Sequence, residues 1–449
     1  MTRSPRPHIL IVGGGYVGMY AALRLQRRLR PGEASVTVVD PQSYMTYQPF
    51  LPEAGAGNLE PRHVVVPLRR VLRRCQVLSG SVTAVDHARR VATFAAHEGE
   101  PVQLSYDVLV MAPGSVARTL PIPGLAEQGI GFRTVAEAIY LRNHVLAQLD
   151  IAASSSDREL RRRALSFVFI GGGYAGIEAM AELQDMAAHA IRYYDGLTPL
   201  DMRWVLVEAA GRILPEVSAD LSDYTVRELR QRGVEVRLRT RATSLVGGHV
   251  ELDDGTAFAA ETVVWTAGVR PHPMLAATDL PTDEKGRLRA TEFLTVQGVE
   301  DAWTAGDCAA VPDLTAPGQF TGPSAQHAVR QARKLADNVL ASLRGGELSA
   351  YKHRYVGSVA SLGLHKGVAE IYGIKLRGWP AWFMHRTYHM TRMPTFNRKV
   401  RVVADWTLAL FFSREIVSLG AFANPRAAFE SAATPTAPVV PVPAESPTS

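Results

Sequence analysis

Cysteine is almost absent from this 449-residue chain: there are two, Cys75 and Cys308, 233 positions apart. A disulfide framework, a cysteine-based zinc cluster and an iron–sulfur site each need a spaced set of thiolates, so all three are excluded. Long apolar runs are missing too. No stretch reaches the roughly 18 apolar residues that a membrane-crossing helix needs, and Ile9-Leu10-Ile11-Val12 is too short, and too quickly stopped by glycine, for a signal peptide. The expectation is a soluble or surface-bound protein made in the cytoplasm. Low-complexity sequence is confined to the Ala/Pro/Ser/Thr-rich stretch beyond Phe422, a flexible tail to which no chemistry is assigned.

What is present is ordinary globular composition, 47% hydrophobic and 20% charged, with length for about three domains. The net charge of +6 is uneven: residues 351–426 carry +9 and the remainder −3. A basic C-terminal region on a mildly acidic body points to an anionic partner, phospholipid or nucleic acid.

His8-Ile-Leu-Ile-Val12 reads as a buried strand, and Gly13-Gly-Gly-Tyr-Val-Gly18 follows it at the start of a helical pattern. In this arrangement Gly13 makes the tight turn, Gly15 lets a pyrophosphate approach the backbone, and Gly18 lets helix and strand pack closely. A glycine-rich turn alone is weak evidence. Here the next strand ends in Asp40, 27 positions after Gly13, where a ribose hydroxyl needs an acceptor. The pattern recurs at Gly171, Gly173 and Gly176 after the strand Leu165–Ile170, and the following strand ends in Glu208. Two fingerprints about 158 residues apart mean two dinucleotide sites. Glu208 favours NADH over NADPH, because a carboxylate accepts from a 2′-hydroxyl but repels a 2′-phosphate; Arg212 softens that preference.

With these motifs the chain resembles the two-dinucleotide flavoproteins, whose first site binds FAD and whose second binds a nicotinamide dinucleotide. Tyr106–Gly114, Thr262–Gly268 and Trp303-Thr-Ala-Gly-Asp-Cys-Ala309 match further segments of that superfamily. Its dithiol members, and the sulfide-oxidising quinone reductases, need paired cysteines that this chain lacks. Tyr44–Leu51, Pro323-Ser-Ala-Gln-His-Ala-Val-Arg-Gln331 and the region from Tyr351 through Gly378-Trp-Pro-Ala-Trp382 to His389 resemble the type II NADH dehydrogenases, with departures at Phe50, Pro52-Glu53 and His385. The fold implied is α/β: two Rossmann-like domains, a discontinuous FAD domain (1–123 and 287–350) with an NADH domain inserted (160–286), then a C-terminal membrane-association domain (351–425) and a tail (426–449). For FAD the resemblance implies Gln48, Val82, Ala112, Asp307 and Ala325 beside the first fingerprint and Asp40; for NAD it implies Gly268 beside the second.

The activity implied is a relay without proton pumping, in which hydride passes from NADH to FAD and two electrons pass on to a membrane quinone. Glu178, just past Gly176, is implied to reach the nicotinamide and flavin; read from position alone it is an acid favoured by the helix dipole. Gln326 is the candidate for the quinone headgroup and Gln48 a weaker one, though either amide can equally hold flavin carbonyls. His327, His385 and His389 titrate near neutral pH, and none is assigned a role. Residues 351–425 interleave Trp379, Trp382, Trp406, Phe383, Phe411 and Phe412 with Arg386, Arg392, Arg398, Lys399 and Arg401. That suits the cytoplasmic face of a membrane, with Val402–Phe412 in the interface plane, although aromatic and basic residues together also suit single-stranded nucleic acid. The expected partners are therefore quinone and membrane surface, without nucleic acid or metal, and with a homodimer as a possible assembly. Two alternatives stay open: a reductase of a protein carrier such as ferredoxin, and a slow NADH-sensing flavoprotein.

Overall fold

The computed structural model of the chain describes residues 6–353 and 356–419. The run His8–Val12 lies inside a seven-stranded sheet, between parallel neighbours Ser35–Asp40 and Val108–Met111, with Ile11 opposite both Val38 and Val110. Gln76–Asp86 and Ala302–Thr304 extend the parallel part on either side, and Val91–Ala96 and Val102–Ser105 finish one edge as antiparallel strands. Ile9, Leu10 and Ile11 are fully buried, which is why this strand is continuously apolar rather than alternating. Helix α1 (Tyr16–Arg28) covers one face, and the short helix α2 (Leu51–Gly55) follows the second strand.

The second unit is a five-stranded parallel sheet in the order Gly129–Gly131, Thr262–Trp265, Ser166–Ile170, Arg203–Glu208, Val234–Leu238. It carries helices α3 (Val135–Ser154), α4 (Tyr174–Ala190) and α5 (Ala219–Gln231). Val269–Pro271, leaving this unit, pairs antiparallel with Ser115–Ala117, so the outgoing and returning chain run side by side. The chain then returns to the first sheet, where α6 (Ala325–Leu343) packs with α1 in one core.

Two boundaries differ from the sequence reading. The inserted unit takes in strand Gly129–Gly131 and helix α3, which the expected start at residue 160 leaves out. Its end comes earlier than 286, because Met274, Leu275 and Leu280 are buried in the first unit's core with Val82 and Val85.

Beyond residue 356 come a three-stranded antiparallel sheet (Gly357–Ser361, Gly367–Ile371, Ile374–Arg377) and helices α7 (Trp379–Arg392) and α8 (Phe396–Leu408). Ala360, Leu362, Met393 and Val402 share one core with Met180 and Leu183 of α4 and with Phe50. No described helix is long and apolar enough to cross a membrane. The outer face exposes Trp379, Phe383, Phe396, Val400, Leu408, Leu410, Phe411 and Phe412. Three residues expected there face inward instead. Trp382 is buried, Trp406 packs edge-on against Phe50 with ring centroids 5.5 Å apart, and the Arg386 guanidinium stacks over both indoles. Asp405, in the segment expected to lie in the interface plane, accepts from the Glu60 N–H at 3.1 Å and pairs with His63 at 2.6 Å, so this side of α8 faces the body.

Candidate functional site

The two glycine fingerprints build the same object twice. Gly13 has φ +99°, and a Cβ there would sit 2.2 Å from the Ala112 carbonyl oxygen; a Cβ on Gly18 would sit 1.7 Å from that of Gly13. In the second copy Gly171 has φ +119°, and a Cβ on Gly176 would lie 2.1 Å from the Gly171 carbonyl oxygen. The middle glycines behave differently. A Cβ on Gly15 or Gly173 would meet no protein atom within 4 Å, and each residue is the N-cap of its helix with no side chain capping the free N–H groups. By contrast α3, α6 and α8 are capped by Thr134, Ser324 and Thr395. An open, uncapped N-terminus fits a pyrophosphate.

The acids after each second strand also brace these loops. Asp40 accepts from the Gly14 N–H at 2.6 Å and the Gln42 N–H at 2.7 Å; Glu208 accepts from Gly172 and Ala210, both at 2.6 Å. Each carboxylate keeps lone pairs for a ribose hydroxyl. Arg212 donates through one nitrogen, Nη2, to the carbonyls of Leu214, Pro215 and Val217.

Around the first cradle, Asp307 accepts from the Ser115 hydroxyl at 2.7 Å, and Arg133 donates to that same hydroxyl at 3.1 Å. The Gly306 N–H, beside Asp307, is held by Gln331 Oε1 at 2.8 Å. Ala325 opens α6. The Val82 side chain points into the core, so only its main chain is available to a cofactor, and Gly268 (φ +91°) is unobstructed at the end of Thr262–Trp265. Gln48 donates its side-chain amide to the Arg133 carbonyl at 3.4 Å, and its N–H donates to the Tyr16 hydroxyl at 3.2 Å.

Gln326 has both ends of its side chain bonded within the protein. Its amide nitrogen donates to the Gly357 carbonyl at 3.3 Å, and its oxygen accepts from the Val356 N–H at 3.3 Å and lies 3.1 Å from His353 Nε2. Both ends of the carboxamide therefore tie α6 to the start of the C-terminal unit. His327 is buried 2.8 Å from the Tyr351 hydroxyl, with burial pushing its pKa down. Cys308 is fully buried and its thiol is pushed up to about 11 by burial, so no thiolate is at hand there.

Where α4, α2 and the C-terminal unit meet, the structure shows a buried polar cluster, of which the sequence reading gives a site role to Glu178 alone and does not name Glu182. Glu178, Glu182 and Glu53 are all buried. Glu178 accepts from the Ser361 N–H at 2.9 Å and lies 3.1 Å from His385 Nε2. Glu182 accepts from Asn58 at 2.8 Å and the Ser361 hydroxyl at 3.1 Å. Glu53 accepts from Arg386 and from the Trp406 indole, each at 2.8 Å. Burial opposes the charged form of His385, yet the Glu178 contact and the charges of Glu178, Glu53 and Glu182 outweigh it and raise its pKa. Its neighbour His389, ring centroids 4.6 Å away, is driven well down by burial and by His385, and stands 3.3 Å from the Tyr47 hydroxyl. A signal for Glu182 exists in the sequence: it is four residues after Glu178, on the same face of the helix.

The model of the pyridine nucleotide-disulphide oxidoreductase family matches residues 7–332. A type II NADH:quinone oxidoreductase of Staphylococcus aureus is 30% identical over 388 residues, covering 85% of this chain and 94% of its own. One from Mycobacterium tuberculosis is 28% identical over 442 residues, covering 94% of this chain and 93% of its own. The solved structure of NDH2 from Plasmodium falciparum in complex with NADH superposes with a TM-score of 0.85 at 17% identity, covering 92% of this chain and all of that one. The chain belongs to the pyridine nucleotide-disulphide oxidoreductase family, among the NADH-dependent flavoenzymes related to the type II NADH:quinone oxidoreductases.

Proposed function

We propose that this enzyme takes hydride from NADH onto FAD and delivers both electrons to a membrane quinone, as a peripheral, non-pumping oxidoreductase on the cytoplasmic face. The observation that carries the reading is the place where its acids and histidines converge. Glu178 sits one turn inside the helix that opens at the second cradle, and Glu178, His385, His389 and Tyr47 form one contact chain towards the Tyr47–Gln48 loop and α1. The C-terminal unit that supplies both histidines exposes its aromatic row on the outside.

The first cradle, Asp40 and Asp307 would hold FAD, with main-chain contacts from Val82, Ala112 and Ala325; the second cradle, Glu208 and Gly268 would hold NADH. FAD, when bound, supplies the acceptor for hydride and the donor of electrons. The protein orients the two dinucleotides, keeps water from the buried cluster, and holds a proton at His385. Gln326 serves by fixing α6 against the C-terminal unit, and a quinone contact would require it to give up the Gly357 carbonyl. The resemblance to quinone reductases and the apolar outer surface favour quinone over a soluble carrier.

The test is steady-state NADH oxidation by the FAD-loaded enzyme with a short-chain quinone, beside NADPH and ferredoxin. Quinone turnover with NADH preferred is the expected result. Turnover with ferredoxin alone would make this a carrier reductase, and flavin bleaching with neither acceptor would make it a sensor.

A further inference from the structure

Reducing a quinone with NADH consumes a proton: NADH + H⁺ + quinone gives NAD⁺ + quinol. The hydride brings two electrons and one proton, so the second proton comes from water or from an acid held nearby. Glu178 and His385 are already close to an ion pair, which makes a further stored acid useful.

Glu182 has the geometry of such a store. It is 1% exposed, and its hydrogen-bond partners, Asn58 and Ser361, are neutral donors. Besides Glu178 on the far side of Ser361 and His385, whose charge it helps to hold, four charged groups face it. Glu53 comes from α2, Asp185 from its own helix, Arg386 from α7 and Arg414 from the segment after α8. Arg386 is committed to Glu53, and Arg414 reaches only the Glu182 main-chain carbonyl, at 3.4 Å. Burial, then Glu53 and Asp185, outweigh the arginines and push the Glu182 carboxyl up to about 7. Ser361 links this acid to the rest of the cluster, its hydroxyl on Glu182 and its N–H on Glu178. Beyond Glu178 stand His385 at 3.1 Å, His389 with its ring 4.6 Å from that of His385, and the Tyr47 hydroxyl 3.3 Å from His389.

We infer that Glu182 is the stored acid for the second proton of quinone reduction: the Ser361 hydroxyl takes that proton as it gives its own to Glu178, which passes it towards the acceptor, while burial and Glu53 keep Glu182 protonated between turnovers. The Glu182 O–H bond breaks, the proton ends on a quinol oxygen, both electrons come from the NADH hydride, and solvent reprotonates the carboxylate. Glu182 acts through Glu178 and is a positioning and proton-supplying residue rather than one that touches substrate. The inference rests on the quinone reading.

The experiment compares the full-length FAD-loaded enzyme with Glu182→Gln, Glu182→Asp and Glu53→Gln, using short-chain quinone and ferricyanide, which takes electrons but no protons. In the wild type, quinone kcat should fall as pH rises through about 7, as the stored acid ionises. Glu182→Gln should lower the ratio of quinone to ferricyanide rates at least about tenfold and abolish that alkaline limb. Glu182→Asp should restore part of the ratio. Glu53→Gln removes the negative neighbour and leaves Arg386 unbalanced, so the limb should move down by about one pH unit. An unchanged ratio and limb in Glu182→Gln would overturn the inference, as would an equal fall of both rates with an unchanged limb. If the wild type reduces ferricyanide but no quinone, the quinone reading itself fails, a result separable from either.

Discussion

Glu178 Oε1 and His385 Nε2 meet at 3.1 Å across the boundary between the inserted dinucleotide unit and the C-terminal unit. His385 is 2% exposed, and its raised pKa comes from the carboxylates outweighing burial. The sign of the stability linkage follows. A cation whose folded pKa exceeds its unfolded value contributes stability that is fully present below about 6.5 and is lost as pH rises through the folded value. Glu182, an acid with a raised pKa, also favours the folded state less as pH rises through about 7. Melting temperature should therefore fall from pH 6 to pH 9 in the wild type. In His385→Gln it should start lower and fall less. An equal pH slope in both proteins would remove His385 from the account.

The two kinds of glycine in the first fingerprint should separate cleanly. Gly15→Ala places a methyl group in open space where a phosphate would approach, so the apo-protein should fold with a near-normal melting temperature and purify without flavin. Gly18→Ala forces a Cβ to 1.7 Å from the Gly13 carbonyl oxygen, so helix and strand must part, and soluble yield should collapse. Flavin absorbance per protein and thermal melts read both outcomes. A yellow Gly15→Ala protein would contradict the cradle assignment.

The cradles were legible in the sequence because they are local: strand, turn and helix lie within about 20 residues, and the backbone demands glycine at fixed offsets. The repeat of that local unit gave two dinucleotide sites, and the inserted architecture came from the family resemblance those motifs carry. What pattern could not supply was distance in three dimensions. Glu53 and Arg386 are 333 residues apart, and nothing near either one names the other. The inward turn of Trp382 and Trp406 was hidden for the same reason. Aromatic and basic residues on an amphipathic helix look alike whether they face lipid or a buried carboxylate, and the choice is made by Glu53 waiting on α2.

That carboxylate makes Arg386 a structural keystone. Arg386→Ala would leave Glu53 buried with a single indole donor and no countercharge, and breaking such a pair costs about 3–5 kcal/mol. The single variant should unfold at lower denaturant concentration and lose the contact between α2 and α7. Adding Glu53→Gln should recover part of the loss, since the orphaned charge is then gone. A double variant as unstable as the sum of the two singles would show that the residues do not act as a pair.

Membrane docking is best tested by substitution at the outer face rather than by truncation. Deleting everything after about residue 350 would strip His385, Arg386 and Ser361 from three buried carboxylates, and the body would suffer for reasons unrelated to lipid. Leu410, Phe411 and Phe412 are 78%, 77% and 68% exposed and sit just beyond α8, where serine would disturb no core. Each apolar side chain entering the interface contributes on the order of 1 kcal/mol, so the triple serine variant should bind vesicles containing anionic lipid about 100-fold more weakly. Its ferricyanide rate with NADH should be unchanged, and its rate with a long-chain quinone in those vesicles should fall with binding. The basic residues add a salt-dependent part, about 1 kcal/mol each near the surface. Binding of the triple variant should therefore disappear at high salt, where the wild type keeps its apolar share. Undiminished vesicle binding by the triple variant would place the membrane contact elsewhere on the protein.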